Sequence, residues 1–116
     1  MFKHLRPVWA EINLDNLASN MKEIKKYQVV KINSIVKADA YGHGALDVAP
    51  TLIENGATGL AVAVINEGVE LRRSGIECPI MVLGFTAPTL IDTLLRHDIE
   101  QTVFSLEYAK QLSEVA

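Results

Sequence analysis

A single lysine ends the first strongly apolar run of the chain. Lys37 follows Val36 and precedes a polar turn that contains Gly42 and Gly44. An ammonium group at the end of an apolar strand is costly unless it is paired with an acid or becomes a neutral amine or imine. The pattern therefore indicates a lysine with a covalent role. The alternative is a structural lysine paired with an acid such as Asp39 or with another carboxylate at a strand end.

The glycines on either side of His43 suit a binding loop. Gly42 and Gly44 permit backbone conformations that other residues resist, and a following helix offers free N–H groups to an anion. We therefore predict a phosphate group near Tyr41. Two common nucleotide fingerprints are absent, because a dinucleotide loop needs a third glycine where Asp47 stands and no Gly-Lys-Ser or Gly-Lys-Thr occurs.

The other polar residues suggest no second chemistry. The three histidines lack metal-like spacing, so we predict no metal site. Glu67 and Glu70 share a predicted helix with Arg72 and Arg73, and we expect both carboxylates to be solvated. The one cysteine, Cys78, cannot form an internal disulfide, which is compatible with a reducing compartment.

The composition is that of one ordinary globular domain with a small-molecule partner. The chain has 116 residues, of which 49% are hydrophobic and 22% charged. A net charge of -3 argues against nucleic acid, and no basic amphipathic segment indicates a membrane surface. The opening residues lack an apolar segment of signal-peptide length, and the longest apolar stretch, 60–65, is too short to span a bilayer. We expect a cytoplasmic protein.

One pattern repeats from residue 32 onwards: an apolar strand, a polar turn and an amphipathic helix. The strands are predicted at 32–37, 60–65, 80–83 and 101–104. The helices are predicted at 45–55, 67–74, 88–97 and 106–115.

Turn residues support these boundaries. Gly56 and Gly75 suit the left-handed position just past a helix, Ser105 suits an N-cap, and Thr86 precedes the start of a helix. Pro50 is either in the first turn of its helix or a kink within it. Before the repeat, residues 8–13 alternate like a half-exposed strand, and Asp15 can cap an amphipathic helix.

The expected fold class is α/β with a parallel sheet. Apolar strands that alternate with helices are typical of parallel β/α units with right-handed crossovers. Four units are about half of a TIM-type (β/α)8 barrel, which needs about 250 residues. We assign 1–30 to a leader strand and helix and 31–116 to the four units, with the rest of the barrel and a C-terminal β domain absent. An open flavodoxin-like layer is the structural alternative.

The sequence Val-Lys-Ala-Asp-Ala-Tyr-Gly-His-Gly at positions 36–44 resembles the pyridoxal-phosphate attachment motif of bacterial alanine racemases. Matching segments occur in the family's order at 9–15, 54–57, 60–63, 75–76, 79–80 and 82–84. Asp39 stands where many relatives have asparagine. Members of that family are much longer, so the resemblance covers only the first part of their barrel domain.

This resemblance implies the cofactor pyridoxal 5'-phosphate and the interconversion of L-alanine and D-alanine. Lys37 would condense with the cofactor aldehyde and later act as a base, Tyr41 would bind the phosphate, and Leu83 would pack against the ring. It also implies a cytoplasmic homodimer that supplies D-alanine for peptidoglycan in the cell wall. Because the second base would be a tyrosine from a later domain of the other subunit, we expect this piece alone to have little activity.

Two other functions remain open at the level of sequence. An amino-acid decarboxylase with the same cofactor barrel is the nearest enzyme, although the Tyr-Gly-His-Gly loop after Lys37 favours the racemase. A non-catalytic cofactor-binding or assembly module also suits the length of the chain.

Overall fold

The computed structural model describes residues 7–116, which form a parallel sheet and the helices that connect its strands. The elements are α1 (Leu14–Tyr27), β1 (Asn33–Ile35), α2 (Lys37–Tyr41), α3 (Ala45–Glu54), β2 (Gly59–Val62), α4 (Ile65–Arg73), β3 (Ile80–Val82), a 3-10 turn (Pro88–Leu90), α5 (Ile91–Arg96), β4 (Glu100–Gln101) and α6 (Leu106–Val115). Most of the opening segment for which we predict no signal peptide lies outside the described residues. Among residues 7–116, no helix combines the length and hydropathy needed to cross a bilayer.

The strands form one parallel sheet in the order β1-β2-β3-β4, which confirms the predicted α/β class. A flavodoxin-like sheet reverses its strand order beside the first strand, whereas sequential order is that of a barrel wall. The strands are shorter than predicted. Because Lys37 begins a helical turn, for example, the strand predicted at 32–37 ends at Ile35.

One face of the sheet packs against the helices. Leu60 pairs with Ile80, and Val62 pairs with Val82 one step further along the same face. All four are fully buried, and burial of each such side chain contributes about 1.5–3 kcal/mol. They form one cluster with buried helix and turn residues that include Leu71, Ile76, Ile91, Leu94 and Leu112.

The opposite face of the sheet is partly open in the described part of the chain, although Ala61 at its centre is buried. Ile35 is 48% exposed, Leu83, just beyond β3, is 40% exposed, and Met81 is half-buried. The outer edges of β1 and β4 have no neighbouring strand among residues 7–116. Open edges and exposed apolar side chains both favour association with another chain.

We expect the 116-residue chain on its own to self-associate as its concentration rises. Size-exclusion chromatography with light scattering measures the mass directly. Ile35→Asp places a charge on the open face and should shift the chain towards monomer. The control is Val29→Asp, at a fully exposed site outside the sheet, which should leave the mass unchanged. A wild-type chain that stays monomeric at every concentration contradicts this expectation.

The predicted leader strand at 8–13 is wrong. Residues 7–13 form neither strand nor helix. Val8 and Trp9 are exposed, and the Trp9 indole N–H donates to Glu11 Oε1 within the same segment (3.1 Å). A strand needs a neighbouring strand to satisfy its backbone groups, and none lies beside this segment in the described residues.

The N-cap of α1 is Asn13 and not Asp15 as predicted. Asn13 Oδ1 accepts the N–H of Asn16 (3.0 Å), which satisfies one free donor of the first turn. Asp15 lies within that turn, where its charge complements the helix dipole. Of the apolar residues on this helix, Met21 is buried and Ile24 is 51% exposed.

The later helices agree with prediction within two residues, except that 88–97 divides into the 3-10 turn and α5. Ser105 caps α6 as predicted, because its hydroxyl oxygen accepts the N–H of Tyr108 (3.0 Å). Gly56 and Gly75 have φ angles of +130° and +99°. Pro50 lies inside α3, where it cannot donate the hydrogen bond that a helix normally forms at this position.

Candidate active site

The chain makes a left-handed turn directly after β1. Val36 still belongs to the sheet, because its N–H donates to the Ala61 carbonyl oxygen (2.8 Å). From Ala38 to Tyr41 the four φ angles are +52°, +55°, +56° and +57°. For residues with a side chain this conformation costs about 1–2 kcal/mol each, so the surrounding structure must hold the turn in place.

The loop that follows holds the far end of this turn. The N–H of Gly44 donates to the Asp39 carbonyl oxygen (2.9 Å), and the N–H of Ala45 donates to Asp39 Oδ1 (2.9 Å). His43 Nδ1 lies 2.8 Å from the Ala40 carbonyl oxygen. Because a carbonyl only accepts, this nitrogen carries the proton.

Lys37 directly precedes the left-handed turn at the carboxyl end of β1, and its side chain is half-buried. Within residues 7–116 no carboxylate lies within 4.0 Å of its amine. Asp39, the acid named in the structural alternative, accepts a backbone N–H instead. The predicted ion-pair alternative is therefore wrong for Asp39 and for every other described carboxylate.

Lys37, Ala63 and Leu83 lie at the same level of three adjacent strands. Each follows a valine that is buried against the helices, and Val62 and Val82 pair directly. Neighbouring strands are about 4.8 Å apart, so the backbones of Lys37 and Leu83 are separated by about 10 Å, with only the small Ala63 between them. The two predicted site residues therefore follow the strands on either side of β2, at the same edge of the sheet.

Tyr41 ends the turn and is 58% exposed. Its hydroxyl has no hydrogen-bond partner among residues 7–116. At the N-terminus of α3 the N–H of Ala45 donates to Asp39 Oδ1, so this first N–H of the helix is not free for a phosphate. The prediction that this helix helps to bind an anion stays a prediction for its other free N–H groups.

The prediction that Glu67 is solvated is wrong, whereas Glu70 is exposed as expected. Glu67 is half-buried, and its Oε1 accepts the N–H groups of Ala63 (2.8 Å) and Val64 (3.1 Å) at the start of α4. Its Oε2 accepts the N–H of Ala38 (2.6 Å). Val64 has no side-chain acceptor, so only the glutamate half of a capping box is present.

A buried polar network holds the loop after Leu83. The Tyr108 hydroxyl donates to the Thr86 carbonyl oxygen (2.6 Å) and accepts the Thr86 N–H (3.1 Å). The Thr86 hydroxyl bonds to Gln101, whose Nε2 donates to the Gly84 carbonyl oxygen (2.6 Å). Thr86 therefore does more than precede a helix, because it joins three segments at the carboxyl end of the sheet.

Arg72 has a structural role remote from Lys37. Its guanidinium donates to backbone carbonyl oxygens of Ile76, Cys78, His97 and Asp98.

Burial raises the pKa of the Cys78 thiol, and the nearby Arg72 charge opposes that rise. The thiol is therefore neutral at pH 7, and we assign it no chemistry. No group of three potential metal ligands occurs among the described residues.

Sequence comparison identifies relatives along the whole chain. The family described as "Alanine racemase, N-terminal domain" matches residues 12–116. The alanine racemases of Clostridium novyi (strain NT) and Clostridium tetani are 80% and 67% identical across 100% of this chain. The chain spans only 30% of the length of either relative.

Solved structures agree with the same assignment. The alanine racemase of Clostridium difficile 630 is 43% identical with a TM-score of 0.82, over 93% of this chain and 29% of that protein. The Bacillus anthracis alanine racemase with bound L-Ala-P is 39% identical with a TM-score of 0.86, over 92% of this chain and 28% of that protein. A histidine racemase from Leuconostoc mesenteroides is 30% identical with a TM-score of 0.81, over 88% of this chain and 28% of that protein. The chain belongs to the alanine racemase N-terminal domain family.

Proposed function

We propose that this chain carries the cofactor lysine of a pyridoxal-phosphate-dependent racemase that interconverts L-alanine and D-alanine. The strongest support is Lys37, which lies at the carboxyl end of β1 with no carboxylate within 4.0 Å among residues 7–116. Because the chain spans 30% of its curated relatives, the enzyme would be a longer polypeptide that continues it. We call this polypeptide the full-length racemase.

The residues around Lys37 suit pyridoxal phosphate. The Lys37 amine can hold the aldehyde, the Tyr41 hydroxyl can donate to the phosphate, and Leu83 offers an apolar surface to the ring. Ala63 leaves room between the lysine and the leucine. When bound, the cofactor withdraws electrons from the carbon next to the substrate carboxylate, so that its proton can be removed.

Lys37 has two tasks in this proposal. Its amine would hold the cofactor in the resting enzyme and would be free while the substrate is bound. The free Lys37 amine then accepts or returns the proton on one face of the substrate. The left-handed turn supports both tasks, because it fixes the backbone from which the side chain extends.

A second base must act on the opposite face, and the tyrosines of this chain are unsuited to that role. The Tyr108 hydroxyl is bonded to both backbone groups of Thr86, and Tyr27 is exposed at the end of α1. Tyr41 is assigned to the phosphate. The second base is therefore proposed to come from the other subunit of a full-length homodimer. In this proposal the enzyme acts in the cytoplasm and supplies D-alanine for peptidoglycan.

A second proposal concerns which amino-acid side chain the racemase accepts. The backbone of this segment resembles that of a histidine racemase about as closely as that of an alanine racemase, although its sequence identity to the histidine racemase is lower. The part of the fold described here is therefore compatible with racemases of different substrates, and residues elsewhere in the full-length racemase would select among them.

Exchange of the substrate α-hydrogen tests the function. In deuterated water the full-length racemase should introduce deuterium into both enantiomers of alanine without release of carbon dioxide. The 116-residue chain alone should be slower by about 10³-fold or more, because it lacks the second base. Release of carbon dioxide would support the decarboxylase, and robust turnover by the short chain would contradict the proposed division of the site.

A further inference from the structure

The Glu67 carboxylate connects two β/α units at the carboxyl end of the sheet. One oxygen binds the start of its own helix through the N–H groups of Ala63 and Val64. The other oxygen accepts the N–H of Ala38, 29 residues earlier in the chain, at 2.6 Å. That N–H belongs to the peptide group that joins Ala38 to Lys37.

The hydrogen bond from Ala38 to Glu67 lies at the near end of the left-handed turn. Ala38 is the first residue of the left-handed turn, and the bonds that hold the far end come from the loop 42–45 itself. Glu67 holds the near end and comes from a different unit of the fold. A carboxylate that accepts a backbone N–H forms a charge-assisted bond, which is stronger than a neutral one.

We propose that Glu67 is a positioning residue for Lys37, an inference that rests on the proposed function. Its carboxylate fixes the Lys37–Ala38 peptide and thereby orients the lysine amine towards the cofactor aldehyde. In the step that it assists, the neutral amine nitrogen would form a double bond to the aldehyde carbon, and its two hydrogens would pass to the aldehyde oxygen, which would leave as water. Glu67 itself neither contacts the cofactor nor transfers a proton.

Glu67→Gln in the full-length racemase tests this role. Glutamine keeps one carbonyl oxygen, so it can still accept the N–H groups of Ala63 and Val64, but its amide nitrogen cannot accept the N–H of Ala38. In the cofactor-free protein, hydrogen exchange resolved by mass spectrometry should show the Ala38 amide exchanging about tenfold faster. Trapping with borohydride after cofactor addition should show the Lys37 adduct forming about tenfold more slowly.

Two controls separate positioning from other effects. Glu70→Gln removes the same charge from an exposed site on the same helix. Ser105→Ala removes the cap of α6 and lowers stability without touching the turn. Both should leave the two rates within about twofold of wild type. If Glu67→Gln does not fold, Glu67→Asp gives the same comparison, because the shorter side chain keeps the charge but cannot reach both segments.

The outcomes are distinct. Wild-type rates in Glu67→Gln, for both exchange and adduct formation, would overturn the positioning role. Equal slowing of adduct formation by Ser105→Ala would also overturn it, because general destabilisation would then explain the effect. A wild type that forms no adduct on Lys37 would contradict the proposed function, while the exchange rates would still decide whether Glu67 holds the peptide.

Discussion

Lys37→Arg in the full-length racemase should lower kcat/KM by about 10³-fold or more and abolish the covalent cofactor adduct. Arginine keeps the positive charge and much of the length, so the fold of the turn should persist. Its guanidinium is always protonated, however, and can neither attack an aldehyde nor accept a proton from the substrate. The measurement is the rate of alanine racemisation together with the mass of the borohydride-reduced protein.

The matched control for this variant is Lys31→Arg. Lys31 is exposed and lies just before β1, outside the left-handed turn. Its replacement should leave both the rate and the adduct unchanged. An active Lys37→Arg protein that still carries cofactor covalently would show that another amine has the role proposed for Lys37.

Gly84→Ala should destabilise the protein by about 3 kcal/mol. A Cβ atom at this position would lie 2.5 Å from the Ala63 carbonyl oxygen, which accepts the N–H of Gly84 (3.0 Å). The backbone has little freedom to retreat, because Gln101 binds the Gly84 carbonyl oxygen from the other side. We expect a lower midpoint of denaturant-induced unfolding and weaker cofactor binding, since Leu83 is the preceding residue.

Gly75→Ala provides the comparison. A Cβ atom there meets nothing within 4 Å, although its φ of +99° is unfavourable for alanine. This variant should therefore cost only about 1 kcal/mol. If the two variants were equally stable, the close approach of Gly84 to Ala63 would not be a significant constraint on the fold.

The order of strands and helices was predictable because each apolar run, glycine and cap acts locally. Ser105 is an example, since an N-cap depends only on residues a few positions away. The segment at 8–13 differs, because its structure depends on a distant partner. Its alternation is that of a strand, but a strand also requires a partner, and the described residues supply none.

The candidate site also has features that the sequence predicts and one that it does not. The position of Lys37 after an apolar strand is a local signal, and so are the glycines of the loop. The left-handed conformation from Ala38 to Tyr41 has no such signal, because alanine, aspartate and tyrosine all disfavour it. It depends in part on Glu67, which becomes its neighbour only when β1 and β2 pair.

The most direct measurement is the location of the cofactor on the full-length racemase. Pyridoxal phosphate is added at limiting concentration, the adduct is reduced with borohydride, and the peptides are identified by mass spectrometry. We predict one modified residue, Lys37, with exposed lysines such as Lys31 unmodified. Modification of the exposed lysines without Lys37, or no adduct at all, would contradict it.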